Sequence, residues 1–265
     1  MTATATRPPA PAPPHPRIRQ RRIEVLRDQG RRRLRLLVAT ACVLGGLLVT
    51  YAVLHSPWLR VDRVEVSGLH RTPPAAVSAV ARGQLHRPMI DAGGPALVAA
   101  LERLPWVRAA TVTRRWPSTL AIAVLERTPV AQAQVAGGWA LVDGTGRVVA
   151  VSSSPTSGLP TLGTAPWRGR PGASLGPSAP VLLRALAAVP AGLRPGLAAV
   201  VPEDGGAVAL VLAGGTTVDL GPPSDLGAKM AALSTLSAQT DLTKAAAVDL
   251  SLPDRPLVTP RSAGP

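Results

Sequence analysis

Four histidines, His15, His55, His70 and His86, are the side chains in this sequence best suited to moving a proton near neutral pH or holding a metal. No two of them fall at the i, i+4 spacing that would set both on one helix face as metal ligands. His15 is separated from the other three by a long apolar run. His55 adjoins that run, His70 sits in a turn and His86 in a loop, so they read as solvated loop residues. Cys42 is the only cysteine, which excludes a disulfide within the chain and a cysteine-based metal site. Neither a G-x-S-x-G elbow nor an S-x-x-K pair is present to activate a serine. Glu102, Glu126, Asp204 and Asp249 stand isolated in sequence, and only the fold can bring such carboxylates together. Asp143 opens Asp143-Gly144-Thr145-Gly146, a pattern that favours a turn over acid catalysis. Gly205-Gly206 and Gly214-Gly215 punctuate hairpins and open no helix that would cradle a phosphate. No catalytic residue, metal ligand or cofactor site is therefore expected.

The elements that carry these residues are arranged around residues 36–54, LLVATACVLGGLLVTYAVL, nineteen residues without a charge. A helix of that length spans about 28 Å, close to the hydrocarbon thickness of a bilayer. Lipid offers the backbone no hydrogen-bond partner, so a crossing segment must be helical. The absence of a polar face argues against a buried soluble helix. Thr50-Tyr51-Ala52 resembles a signal-peptidase site, but the run exceeds the apolar core of about 7–15 residues usual in a cleaved signal. A retained anchor is the expectation.

The formal charge of +14 raises the question of nucleic acid. Its distribution answers it: residues 1–35 hold ten arginines against Glu24 and Asp28, a net +8, leaving +6 for the other 230 residues. With no Phe, one Tyr and scattered Trp, the chain lacks stacking platforms for single strands. The basic run, with Arg31, Arg32, Arg33 and Arg35 nearest the apolar segment, is read as a topology determinant. It predicts a cytoplasmic N-terminus and an extracytoplasmic C-terminus, a single-pass type II membrane protein. The Pro- and Ala-rich first sixteen residues cannot bury a core, and residues 1–35 together are expected to form a disordered basic cytoplasmic tail.

Residues 57–128 read as a β-α-α-β-β unit, an α+β layering. Val64 and Val66 alternate with Arg63 and Glu65 at period two. Thr72 is positioned to cap a first helix whose buried stripe is Val77, Val80 and Ala81, and which ends near Gly83. A second helix carries Leu97, Leu101 and Leu104 and stops at Pro105. Two strands, 107–116 and 119–127, complete the unit. Residues 129–260 read as a β-rich domain with flanking helices. Strands are expected at 139–142 and 147–151 around the Asp-Gly-Thr-Gly turn, then at 197–201, 207–212 and 216–220. A Ser-, Pro- and Gly-rich loop covers 152–177. Helices are expected over 178–189 and along Leu226, Met230, Leu233 and Leu236. Val248, Leu250 and Leu252 alternate with Asp249 and Ser251 as a half-exposed strand; 257–259 forms a last short one, and 261–265 a tail.

LRVDRVEVSGLHRTP, followed by LPWVRAATVTRRWPSTLAIAVLERTPVA, resembles the POTRA domain of the FtsQ/DivIB bacterial cell-division family. WALVDGTGRVVA resembles the opening of that family's second, β-rich domain. The likeness extends over roughly residues 20–260 and includes the basic tail and single anchor in the same order. It implies a non-enzymatic scaffold at the division septum. The region of the final strands would bind the single-pass coiled-coil partners FtsB and FtsL, and the POTRA domain would touch other division proteins. Carried onto this chain, Asp249, Leu250, Ser251 and Leu252 fall in the penultimate strand and Arg255, Leu257 and Val258 in the last. The sequence departs from the better-characterised members: Pro253, Pro256 and Pro260 bracket the short strand and no aromatic residue follows it. Proline blunts sheet edges, so a protected, non-pairing end is the competing reading.

Two other function classes are compatible with an anchored extracytoplasmic chain. A membrane-tethered cell-wall enzyme would need a pocket holding two titratable groups within about 5–10 Å. A POTRA-bearing secretion component would need the many alternating segments of about 10 residues that build a membrane barrel; the residues after 130 include helices and lack that repetition.

Overall fold

Arginine and leucine are strong helix formers and proline suits a first helical position, and the chain uses all three at its start. In the computed structural model, which describes residues 16–163 and 167–261 and side chains from residue 32 onward, α1 runs through Pro16–Leu54 as one 39-residue helix. The expected disorder of residues 17–35 is thus replaced by helix: the basic segment continues the apolar one without a breaker. Residues 1–15 and 262–265, including the rest of the proline-rich tail, lie outside the described residues. Within α1, Arg32–Leu54 is a 23-residue stretch containing an 18-residue window of mean hydropathy 2.2 with none of that window buried, long and apolar enough to cross a membrane.

The first module follows the expected order: β1 (Arg63–Ser67), α2 (Pro74–Ala81), α3 (Pro95–Glu102), β2 (Val107–Arg115) and β3 (Thr119–Glu126). Its three-stranded sheet has the order β1-β3-β2. β1 lies parallel to β3, with Val64 opposite Leu120 and Val66 opposite Ile122, while β2 and β3 are antiparallel. Parallel pairing requires a long crossover, and the two helices with β2 supply it. Val77, Leu97, Leu101, Val107, Leu120 and Ile122 form the core with Val61 and Met89. Each fully buried aliphatic side chain contributes roughly 1.5–3 kcal/mol.

The first helix is not capped as the sequence predicts. Thr72 is buried, but its hydroxyl has no hydrogen-bond partner. No side chain caps it, and its N-cap position is Pro73; the loop before it is held instead by the end of β3. Glu126 takes the amides of Thr72 at 2.7 Å, Arg71 at 2.9 Å and His70 at 3.1 Å. Burial alone raises the pKa of this carboxyl; the contributions of Thr72, then of the His70 and Arg71 amides, outweigh it and lower the value to about 2. Gly68 (φ +80°) makes the turn before it, and a Cβ there would run into the Val124 carbonyl.

The second module is one nine-stranded sheet. Its elements are β4 (Pro129–Val135), β5 (Gly138–Asp143), β6 (Val148–Ser152), β7 (Thr161–Leu162), α4 (Ala179–Ala188), β8 (Leu197–Pro202), β9 (Val208–Leu212), β10 (Thr217–Asp219), α5 (Leu226–Gln239), β11 (Ala245–Asp249) and β12 (Leu257–Pro260). The strand order is β12-β11-β10-β9-β8-β7-β4-β5-β6. Helices α4 and α5 touch each other and bury Leu182, Leu186, Met230 and Leu233 in the core. β4 and β7 are absent from the sequence reading. β7 is the two-residue bridge that joins β4 to β8 in parallel, inside a stretch expected to be loop. In β4, Gln132 is buried and answers its own polarity. Its Oε1 accepts the Thr156 amide at 2.7 Å, and its Nε2 donates to the Leu159 carbonyl at 3.0 Å.

The two modules are clamped at the Asp-Gly-Thr-Gly turn. Asp143 Oδ1 accepts the amides of Thr145 (2.9 Å) and Arg147 (3.0 Å) and the Thr145 hydroxyl (2.6 Å), so it is turn-forming as expected. Its Oδ2 also meets Arg127 Nη1 at 2.6 Å, in an ion pair whose side chains are 12% and 7% exposed. Burial pushes the Asp143 carboxyl up, and hydrogen bonds from Thr145, Arg127 and the Arg147 amide overcome it, leaving the pKa below the usual carboxylate range. Arg147 reaches the other way and donates to the Arg103 carbonyl at 2.8 Å, just past the end of α3. A cation suits the carbonyls at a helix C-terminus.

Candidate functional site

β12 is the outermost strand of the nine-stranded sheet. It pairs antiparallel with β11, setting Leu257 opposite Asp249 and Val258 opposite Val248. Among the described residues no strand lies on its outer side. An edge strand of this kind keeps one row of amides and carbonyls free for another chain. Leu257 is 64% exposed, whereas Val258 is half-buried and packs on the core. Arg261 pins the strand's end: its amide donates to the Lys244 carbonyl at 2.9 Å and its Nη2 to the Gly214 carbonyl at 2.8 Å.

The structure brings together only part of the expected set. Asp249 ends β11, so Leu250, Ser251 and Leu252 do not continue the penultimate strand. Asp249 Oδ1 accepts the Ser251 amide at 2.8 Å and turns the chain. Those bonds to Ser251, against a smaller effect of burial, hold the Asp249 carboxyl below its ordinary range. Pro253 cannot supply a ladder donor. Leu250 is 0% exposed and belongs to the core, so it supports the edge without reaching a partner. Leu252 is 64% exposed on the connecting turn, and Arg255 lies in the same turn, with its amide on the Leu252 carbonyl at 3.1 Å. Arg255 is therefore beside the last strand and not in it. Leu252 and Leu257 remain as the two large apolar side chains exposed at this edge. Of the basic residues read as topology determinants, Arg32, Arg33 and Arg35 are exposed on α1, and the Arg31 side chain lies outside the described residues.

Elsewhere the fold assembles little that could do chemistry. Among the described residues no three His, Cys, Asp or Glu side chains converge as a metal site. His55 sits at the end of α1, stacked on Tyr51, with Nε2 3.7 Å from Asp91. One carboxylate pair does form in space: Glu203 faces Asp219. Burial, then Asp219 and Asp204, raise the Glu203 pKa. Glu203 is solvent-exposed and lines no described cavity. A cavity of about 660 Å³ between β8 and α4 has walls of Val130, Leu159, Leu183, Leu186 and Leu197, with Arg194 as its one titratable group. Arg194 is already engaged with the Val189 and Ala187 carbonyls.

An N-terminal apolar helix, a small β-α-α-β-β module and a β-rich module whose sheet ends in an open strand define a mixed α+β protein of two modules behind an apolar helix. Residues 59–127 match the POTRA domain of FtsQ type, and residues 131–251 match the cell-division protein FtsQ/DivIB C-terminal domain. The chain belongs to the FtsQ/DivIB family of cell-division proteins. It is 37% identical over 141 residues to the cell division protein FtsQ of Streptomyces collinus, covering 51% of this chain and 53% of that one. It is 32% identical over 132 residues to FtsQ of Corynebacterium glutamicum (46% and 58%). To FtsQ of Rhodothermus marinus it is 38% identical over 136 residues (50% and 48%). The chain spans about half the length of the curated relatives it matches. β12 falls beyond the matched residues 131–251.

Proposed function

We propose that this chain is a non-enzymatic bitopic scaffold of the bacterial division machinery. α1 crosses the cell membrane with its arginine-rich start in the cytoplasm, and residues 55–265 stand outside as a recruiting surface at the septum. Single-pass coiled-coil proteins of the FtsB and FtsL type add an extended segment to β12. Other division proteins meet the POTRA module at its exposed sheet edge near residues 61–66. Holding several weak partners on one anchored body raises their effective concentration for one another.

The observation that carries this reading is the open outer side of β12 with Leu257 exposed on it. Main-chain pairing supplies affinity and the exposed side chains supply selection. Leu257→Asp keeps the strand and puts a charge where an incoming strand must pack. Co-purification of the full chain with tagged FtsB- and FtsL-type proteins from membranes should fall by about tenfold or more, with membrane abundance unchanged. Undiminished capture overturns the assignment of the edge.

A further inference from the structure

The turn that leaves α1 does not lead the chain away from the membrane. Ser56 donates its amide to the Val53 carbonyl at 3.1 Å and Leu59 to Ser56 at 3.1 Å, so the chain folds back on the helix end. Trp58 is 84% exposed. A cleft of about 440 Å³ lies between Trp58 and Leu59 on one side and Val49, Ala52 and Val53 of the apolar stretch on the other. Only a molecule present at the depth of Val49 can fill such a cleft.

A second apolar segment lies beside it. Met89 donates to the Leu59 carbonyl at 2.8 Å, Val61 to Arg87 at 3.0 Å and His86 to Val61 at 2.8 Å. Ile90, the residue after Met89, is 42% exposed, and the His55–Asp91 contact ties the same loop to the end of α1. Leu85 is exposed at the loop's other end. Around these three apolar residues stand Arg60, Arg82 and Arg87, all exposed and without an ion pair among the described residues. Against them are Asp62 and Asp91, the latter facing His55.

We infer that this face of the first module docks on the outer leaflet of an anionic bilayer. Trp58, Leu85 and Ile90 enter the interfacial layer, Arg60, Arg82 and Arg87 lie over lipid phosphates, and an acyl chain fills the cleft beside Val49 and Val53. Tryptophan favours the membrane–water interface, and each basic residue near an anionic surface adds to the attraction. The interfacial layers add roughly 10–15 Å in total to a hydrocarbon core of about 30 Å, deep enough for a residue that folds back on the helix end. This inference rests on α1 being a membrane anchor, and Cys42 at mid-helix tests that separately.

The full chain is reconstituted in vesicles of phosphatidylcholine with or without 30% phosphatidylglycerol, at low protein-to-lipid ratio. An environment-sensitive fluorophore is placed on native Cys42 or, in a Cys42→Ala background, on Ile90→Cys, Leu85→Cys or the distant Ser154→Cys. Quenching by spin-labelled lipid should be roughly threefold stronger at positions 85 and 90 than at 154. It should be stronger with phosphatidylglycerol, and should weaken with Arg60→Gln, Arg82→Gln and Arg87→Gln combined. A quenched label at Cys42 with positions 85 and 90 no different from 154 overturns the docking and leaves the anchor standing. An unquenched Cys42 overturns both. Protection at 85 and 90 that depends on protein density and not on lipid charge assigns the face to contacts between copies of the chain, and overturns docking on lipid.

Discussion

The two ends of the nine-stranded sheet are treated differently. At the β6 end, Val148 donates to Ala173 at 2.9 Å and accepts from Gly172 at 2.8 Å, so a returning loop covers the start of the edge. Arg147, one residue before β6, reaches the end of α3 in the other module, and Asp143, on the same turn, holds Arg127. At the β12 end the outer side has no such cover: Arg261, just past the strand, fixes its end on the Lys244 and Gly214 carbonyls, and two leucines face solvent. One edge is covered at its start, beside the junction of the modules, and the other is left open. An exposed edge carries an aggregation hazard, which the prolines at 253, 256 and 260 limit by shortening it. The feature first read as protection is therefore compatible with pairing, because it restricts the edge to a few residues without covering them.

The closed end is where stability should respond most. Asp143→Ala removes four hydrogen bonds and leaves Arg127 as a nearly buried unpaired cation, an expected cost of about 3–5 kcal/mol. A denaturant titration of the detergent-solubilised chain checks it. Arg127→Ala combined with Asp143→Ala should cost less than the sum of the two single changes, because one pair is counted in both. A strictly additive result would mean that the ion pair does not couple the modules.

Next in size is the carboxylate that holds the loop before α2. Glu126 is held at about 2 against an ordinary 4.5, so the unfolded chain binds the proton more tightly. Its stabilisation is complete above about pH 4.5 and is lost as pH falls through about 2. Glu126→Gln should cost about 1–2 kcal/mol at pH 7, after allowance for its partial exposure, and flatten the decline in unfolding midpoint between pH 5 and 2.5. An unchanged acid profile would mean that Glu126 does not hold that loop.

The smallest stability effect belongs to the open end. Leu257→Asp should shift the unfolding free energy by no more than about 0.5 kcal/mol while partner capture falls. If it destabilised as strongly as Asp143→Ala, the two edges would not differ in the way described.

Period-two alternation made β1, β2 and β3 legible, and turn glycines placed β5, β6, β8 and β9. β4 escaped because its Ala and Gln residues carry little hydrophobic contrast, and Gln132 is buried by virtue of partners in a loop 24 residues away. β7 is too short for any period. The loop before α2 is held by Glu126, 54 residues beyond Thr72, a partner that no local pattern reveals. At the site, the terminal position of β12 could be read from the chain, but the end of β11 could not. Leu252 keeps the alternation of Val248 and Leu250, and only the Asp249–Ser251 turn and Pro253 take it out of the ladder.

The clamp at Asp143 and Arg147 has a mechanical consequence. Two guanidinium contacts pointing in opposite directions across one turn resist a swivel between the modules, so the two would turn together as a lever. On the proposed topology, a tug on the far strand would be delivered to the bilayer as tilt of α1, not absorbed by slack in a tether.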